Sequence, residues 1–306
     1  MSSGRNSLDG TVAIVTGGAA GLGRAEALQL ARDGATVVVG DVDESGTSVV
    51  DEIEALGGKA AFVPGDVGER ATADALVSTA VERFGGLHVL VNNAGITRDR
   101  MLFNATDSEW DEVIRVHLRG HFLLSRNAAA YWRGKSKAEG KLVYGSVINT
   151  ASEAFLLGAE GQPNYAAAKG GIAALTVATA RGMARYGVRA NAICPRARTA
   201  MTDQVFGPPP ETSDGSAGSG GVDPLSVDHV APVVSYLASP EAASISGQVF
   251  VVHGGMVALM APPTVEARFD TSGATWTAGE LADKVGGYFA GRDEPRMFAA
   301  TEVMSL

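Results

Sequence analysis

Tyr165 and Lys169 stand four residues apart in the run Tyr165-Ala166-Ala167-Ala168-Lys169. Side chains at i and i+4 share one face of a helix, so this spacing sets an ammonium beside a phenol. A phenol with an ordinary pKa near 10 is a poor base at neutral pH, but a neighbouring cation favours the phenolate. Such a pair could take up the proton of a hydroxyl. The spacing by itself recurs in many helices, and its meaning depends on what accompanies it. Near the N-terminus the chain reads Thr16-Gly17-Gly18-Ala19-Ala20-Gly21-Leu22-Gly23. Glycines at 17, 21 and 23 permit a tight turn, close approach of backbone to a pyrophosphate and close helix packing, while a following helix offers free amides to the anion. Gly17, Ala20, Gly21, Leu22 and Gly23 are therefore candidates for a dinucleotide cradle. Asp41, followed by Val42, comes after Gly23 at close to the ~20-residue spacing of an acid that accepts bonds from the adenosine ribose. Such a carboxylate repels a 2′-phosphate, and Ala20 is uncharged, so both positions favour NAD over NADP. The competing reading makes Asp41 or Asp43 a cap of the next helix.

These residues need a strand before each turn and a helix after it, and the chain supplies the alternation. Seven short apolar runs read as strands: Val12 to Thr16, Thr36 to Gly40, Ala60 to Pro64, His88 to Asn92, Val143 to Asn149, Arg189 to Ile193 and Gln248 to Val252. Several are apolar without alternation, as in strands covered on both faces. Helical patterns lie between them, at Leu22 to Arg32, Ser45 to Leu56, Thr72 to Phe84, Asp107 to Trp132, Pro163 to Tyr186 and Val227 to Ser239. The expected fold is α/β, a Rossmann-type doubly wound sheet of seven parallel strands flanked by helices. It forms a single domain over residues 8–256, with a C-terminal extension over 257–306 that carries one helix pattern near Thr277 to Phe289 and no strand pattern. Residues 202–224, with three consecutive prolines and then Gly215, Gly218, Gly220 and Gly221, are expected as a loop, either a linker or a flexible lid beside a substrate.

Composition removes several function classes. A formal charge of -9 leaves no basic surplus to neutralise phosphates, so neither nucleic acid nor an anionic membrane is an expected partner, and a small-molecule substrate is. Glycine, 39 of 306 residues, stands near twice the usual ~7% and has no collagen period. The single cysteine, Cys194, excludes internal disulfides and reads as a buried strand residue. His88, His121, His229 and His253 lack metal-ligand spacing, and no metal is expected. The polar N-terminus has no apolar core for a signal peptide and no run approaches ~18 apolar residues, so a cytoplasmic protein is expected.

With these residues in place the chain resembles the classical short-chain dehydrogenase/reductase family. Asn92-Asn93-Ala94-Gly95 is similar to the family's NNAG at the close of the fourth strand, which implies that Asn93, Ala94 and Gly95 lie beside the adenosine. Asp66-Val67 looks like the pair that contacts adenine, although Asp66 also reads as a helix cap. Tyr165 and Lys169 match the catalytic signature, and Ser152 lies at the family's spacing upstream, which implies that its hydroxyl holds the substrate oxygen and steadies the charge that develops there. Ser146 fits that position less well. Where the family has asparagine in V-N-L-x-G, this chain has Val116-His117-Leu118-Arg119-Gly120. That departure gives His117 two readings, a ligand for the relay water of the proton path or a structural residue. The V-H-L-R-G segment and Gly161-Gln162-Pro163-Asn164-Tyr165 resemble the (3R)-hydroxyacyl-CoA dehydrogenase units of multifunctional enzyme type 2 and their bacterial relatives. After Pro195 the family's glycine is replaced by Arg196; Pro195 and Thr199 are still implied as cofactor contacts. Arg196 and Arg198 read either as ion-pairing residues or as partners of a coenzyme A phosphate.

The resemblance implies an NAD-dependent oxidoreductase that interconverts a secondary alcohol and a ketone on a 3-hydroxyacyl-CoA or a 17β-hydroxysteroid-like substrate. Two alternatives are a 3-oxoacyl-acyl-carrier-protein reductase, which the acidic charge disfavours, and a catalytically silent NAD-binding regulator, which would have no use for Ser152, Tyr165 and Lys169 together. Apolar residues over more than one face of the helices around Trp110 to Leu123 and Ile172 to Met183 predict a homodimer or homotetramer.

Overall fold

In the computed structural model the described residues are 7–199, 201–202, 223–292 and 297–306. The runs Val12–Thr16 (β1) and Thr36–Asp41 (β2) are rich in Val, and their interiors are buried on both faces. Such strands belong in the middle of a parallel sheet with helices on each side. Ala60–Pro64 (β3), Val89–Asn92 (β4), Gly145–Thr150 (β5), Val188–Pro195 (β6), Val249–His253 (β7) and Met256–Leu259 (β8) complete one sheet of order β3-β2-β1-β4-β5-β6-β7-β8. The chain order reverses between β1 and β4, and in such sheets ligands bind beyond the carboxyl ends of the strands at that reversal.

The helices Gly21–Arg32 (α1), Gly46–Ala55 (α2), Arg70–Ser78 (α3), Asp107–Ile114 (α4), Gly120–Glu139 (α5), Ala154–Leu157 (α6), Pro163–Met183 (α7) and Ala231–Ala238 (α8) connect the strands. Two apolar clusters fill the space on either side of the sheet. One joins Leu30 of α1, Ile53 of α2 and Leu237 of α8 to Val37, Val39 and Val91. The other joins Leu76 of α3, Trp132 of α5 and Ala180 of α7 to Ile14, Val38 and Val147. Local signals set several ends. Thr106 accepts from Glu109 N while the Glu109 carboxylate accepts from Thr106 N, a reciprocal cap that starts α4. Pro163 opens α7, where its missing N–H costs nothing.

The sheet has eight strands, seven parallel and one antiparallel, where seven were expected. After His253 the pair Gly254-Gly255 turns the chain, with Gly254 at φ +52, and Met256–Leu259 runs back along β7 in the register His253↔Met256 to Phe250↔Leu259. Two consecutive glycines make this tight reversal possible, and the four residues beyond them are too few to show a period. The helix expected over Asp107 to Trp132 is also divided, because Arg115–Arg119 forms a wider π turn between α4 and α5 with His117 at its centre. Such turns often lie at functional sites.

By its internal contacts the chain divides into two compact units, one ending at Leu259 and one spanning Met260–Leu306. Within the second unit the expected helix Thr277 to Phe289 appears as two short helices, Ala278–Leu281 (α9) and Gly287–Ala290 (α10), separated by a π turn over Ala282–Gly286. Gly279, Gly286 and Gly287 weaken a continuous helix there. The proline- and glycine-rich loop expected at 202–224 falls almost wholly outside the described residues. No described helix is long and apolar enough to cross a membrane.

Candidate active site

The glycine turn lies at the carboxyl end of β1, against the end of β4. Gly17 has φ +65, and a Cβ there would come within 2.8 Å of Ala94 Cα. A Cβ on Gly23 would meet Gly17 O at 2.1 Å. Both positions therefore admit only glycine, and the turn can press against its neighbours. Thr16 Oγ1 accepts from the backbone amides of Asn93 at 3.0 Å and Ala94 at 3.2 Å, while Asn93 Nδ2 donates to Thr16 O at 3.1 Å and Gly17 O at 3.3 Å. The Asn92-Asn93-Ala94-Gly95 segment is thus stitched to the turn. No side chain caps α1 at Ala20, so the first amides of the helix are left to an anion, with Leu22 buried beneath and Ala20 and Gly21 exposed. Asp41 closes the far side. Its Oδ2 accepts from Ala19 N at 2.9 Å and its Oδ1 from Asp43 N at 3.0 Å, so the carboxylate also orders the turn. Each oxygen retains a lone pair for a hydroxyl. This glycine cradle with an acid at its rim fits a nicotinamide dinucleotide.

Ser152, Tyr165 and Lys169 meet at the carboxyl ends of β5 and β6. Ser152 follows β5 and accepts from Ala154 N at 3.2 Å, and its hydroxyl lies near enough to Tyr165 to act on the phenol. Lys169, on the same face of α7 as Tyr165, is almost completely buried and donates through Nζ to Thr150 O at 2.6 Å. The same Nζ lies 5.2 Å from the centre of the Tyr165 ring. Burial pushes the phenol up to about 12, partly offset by the Ser152 hydroxyl, and pushes the ammonium down to about 7. The sequence led to the expectation of a depressed phenol. In the chain alone desolvation dominates at both groups and favours their neutral forms.

His117 is buried, with its ring edge-on to Tyr165 at 5.2 Å between centres. Nε2 lies 2.9 Å from Ile96 N and 2.7 Å from Ile96 O, and Nδ1 has no hydrogen-bond partner among the described residues. Burial first, then the Lys169 charge, hold its pKa well below the usual histidine value, so the ring is neutral. Its backbone oxygen accepts from or faces Nδ1 of buried His121 at 2.7 Å. A Cβ on Gly95 would come within 2.3 Å of the His117 ring, so this glycine makes room for it.

Other expected positions vary in how directly they face this cleft. Val42 is exposed and Val67 is buried against Gly120. Asp66 is not a helix cap; Oδ1 accepts from Gly68 N at 2.7 Å and Oδ2 pairs with Arg115 at 2.6 Å. Pro195 ends β6 beside Val252. Thr199 stands against the glycine turn, its Cγ2 at 3.4 Å from where a Gly21 Cβ would lie, and its amide donates to Thr202 Oγ1 at 2.8 Å. Ser146 is buried in β5 and donates to Leu237 O at 3.0 Å, away from the cluster. Arg196 and Arg198 are ion-paired, with Glu153 at 2.7 Å and with Asp223 at 3.4 Å. No group of three or more metal-ligating side chains occurs among the described residues.

Sequence reasoning missed Thr16, whose signal was a hydroxyl immediately before the glycines, and the Thr150 carbonyl, which no residue type can announce. It also missed a buried polar row in which Asn92 Nδ2 donates to Asn149 Oδ1 at 2.9 Å and Asn149 Nδ2 donates to Thr176 Oγ1 at 2.8 Å. This row ties β4, β5 and α7 together directly beneath the cluster.

The short chain dehydrogenase family matches residues 11–207. The chain is 59% identical over 304 residues to hydroxyacyl-CoA dehydrogenase ChsB1 of Mycobacterium tuberculosis, covering 97% of this chain and 94% of that protein. It is 37% identical to the peroxisomal hydratase-dehydrogenase-epimerase of Neurospora crassa over 82% of this chain and 27% of that larger protein. A crystal structure of a short chain dehydrogenase from Mycobacterium avium superposes with a TM-score of 0.83 at 43% identity, covering 96% of this chain and 99% of the other. The chain belongs to the short-chain dehydrogenase family and is an oxidoreductase of it.

Proposed function

We propose that this protein interconverts the secondary alcohol and the ketone of a 3-hydroxyacyl-CoA, with NAD as cofactor. The observation that carries the reading is the convergence of Ser152, Tyr165 and Lys169 at the strand ends, beside a glycine cradle closed by Asp41. The substrate class rests on the 59% identity to a protein named hydroxyacyl-CoA dehydrogenase. Ser152 Oγ holds the substrate oxygen next to the phenol, and Tyr165 takes the hydroxyl proton during oxidation or returns it during reduction. Lys169, anchored on Thr150 O, keeps its Nζ beneath the ring and orients the phenol. Bound NAD supplies the hydride acceptor and, when oxidised, the positive charge that favours phenolate. His117, neutral and wedged between Ile96 and the Tyr165 ring, sets the ring's position, and its unpartnered Nδ1 is free to hold a water. Gly17, Ala20, Gly21, Leu22 and Gly23 cradle the pyrophosphate. Asp41 and Val42 flank the ribose, while Asp66, Val67, Asn93, Ala94 and Gly95 line the adenosine side and Pro195 and Thr199 the nicotinamide side.

Following NADH formation with (3R)- and (3S)-hydroxyacyl-CoAs, 17β-hydroxysteroids and simple secondary alcohols tests the substrate. The 3-hydroxyacyl-CoA of one configuration should be preferred by orders of magnitude; preference for a steroid or a simple alcohol refutes that part. Faster turnover with NADP than with NAD at equal concentration refutes the role of Asp41.

A further inference from the structure

Glu153 follows Ser152 directly, and Arg196 follows Pro195 at the end of β6. Their side chains meet as a two-pronged pair, Nε donating to Oε2 at 2.7 Å and Nη2 to Oε1 at 2.8 Å. The side chains are only 16% and 14% exposed, so this is not a solvated surface contact. β5 and β6 are adjacent, and the ladder continues past β5 as Ala151 N donates to Ile193 O at 2.7 Å. On the other side Arg196 N donates to Val252 O at 2.9 Å, which fixes the arginine to β7. The pair therefore bridges the Ser152 turn to the segment Pro195 to Thr199 just where backbone pairing between β5 and β6 gives out. Side chains that close a planar two-bond contact hold their backbones in one mutual geometry.

The geometry points to a positioning role for the Glu153–Arg196 pair: it sets Ser152 against Tyr165 and couples that setting to the segment after β6. The inference rests on the assignment of Ser152 and Tyr165 to the reaction. A two-bond charge pair suits the task because it fixes both backbones at once, and the phenol beside it is sensitive to charge. That phenol is faced by Lys169 from α7, His117 from the π turn, Cys194 from β6 and Asp99 from the loop after β4, with the Ser152 hydroxyl near it. Glu153 is near enough to raise the neighbouring Cys194 thiol. Without Arg196 the Glu153 carboxylate loses its two-bond partner beside Cys194, which itself acts on the phenol.

The test compares Glu153→Gln, Arg196→Met, Arg196→Lys and the exchanged pair Glu153→Arg/Arg196→Glu with the parent protein in steady-state oxidation across pH, with NADH binding followed by fluorescence. Each charge-removing variant should lower kcat at least tenfold with NADH affinity changed less than threefold. Arg196→Met should raise the pH at which oxidation develops by roughly half a unit or more. The exchanged pair should recover most of the lost kcat and return the profile toward that of the parent. Unchanged kcat in both single variants overturns the proposal. So does a loss with no pH shift in Arg196→Met and no recovery in the exchanged pair, which is the pattern of a merely structural contact. If Arg196→Met does not fold, Arg196→Lys, which keeps charge but loses the second prong, must still show a kcat loss. Tyr165→Phe is assayed alongside: if it turns over, the catalytic assignment fails, whereas a dead Tyr165→Phe with parent-like clamp variants refutes the clamp alone.

Discussion

Burial acts on Tyr165 and Lys169 in opposite directions, pushing the phenol up to about 12 and the ammonium down to about 7. Oxidation needs the phenolate and reduction the phenol. The rate of alcohol oxidation should therefore rise with pH, and that of ketone reduction should fall, which paired pH–rate profiles check directly. Removal of the hydroxyl in Tyr165→Phe leaves the cradle intact, so NADH should bind as in the parent while turnover drops by about 10²–10⁴ or more. Measurable parent-level turnover in that variant refutes the assignment. The residue types at 165 and 169 announced this chemistry. The direction of the pKa shifts did not follow from them, because burial is set by groups from elsewhere in the chain, such as His117 of the π turn and Cys194 of β6.

At the scale of elements, α1 carries an unexpected group. Glu26 is completely buried, neither carboxyl oxygen has a partner among the described residues, and burial raises its pKa from 4.5 to about 8. A folded pKa above the unfolded one means that the neutral acid is favoured by folding. The associated stability is complete below about 4.5 and is lost as pH rises toward 8. Urea unfolding of the parent should weaken by on the order of a few kcal/mol across that window. Glu26→Gln should be nearly flat over the same range, and an equal slope in both proteins refutes the account. The cradle that α1 opens is equally specific. Gly17→Ala places a Cβ against Ala94 at a positive φ, and should weaken NADH binding at least tenfold and cost about 1–3 kcal/mol of stability. Fluorescence titration and thermal unfolding read the two effects. The π turn at Arg115–Arg119 was hidden in the sequence because its residues continue the helical pattern of α4 and α5. The widening appears only where His117 must reach Ile96.

For the whole molecule, the order of the sheet brings together turns from distant parts of the chain, with the reversal between β1 and β4 opening the cleft. Of the apolar residues on α4, α5 and α7, Val113, Leu123 and Ile172 are buried within one chain. Trp110, Phe122 and Val177 stay 39%, 45% and 37% exposed, on α4, α5 and α7. We expect these to be covered by a second copy. Sedimentation equilibrium at micromolar concentration should give a dimer or tetramer, and Phe122→Glu should shift it toward monomer; a monomeric parent protein refutes this expectation.

By itself the sequence determined what depends on residue type at short range. Unalternating Val and Ile runs require strands covered on both faces, glycines at 17 and 23 require close approach, and a four-residue spacing requires a shared helix face. Tertiary structure alone decided what depends on groups far apart in the chain. It turned Met256–Leu259 back into an eighth strand, anchored Lys169 on the Thr150 carbonyl, left Glu26 without a partner among the described residues and brought Arg196 onto Glu153. Backbone carbonyls, desolvation and ion pairs between neighbouring strands are properties of positions in space, and no local pattern of residues encodes them.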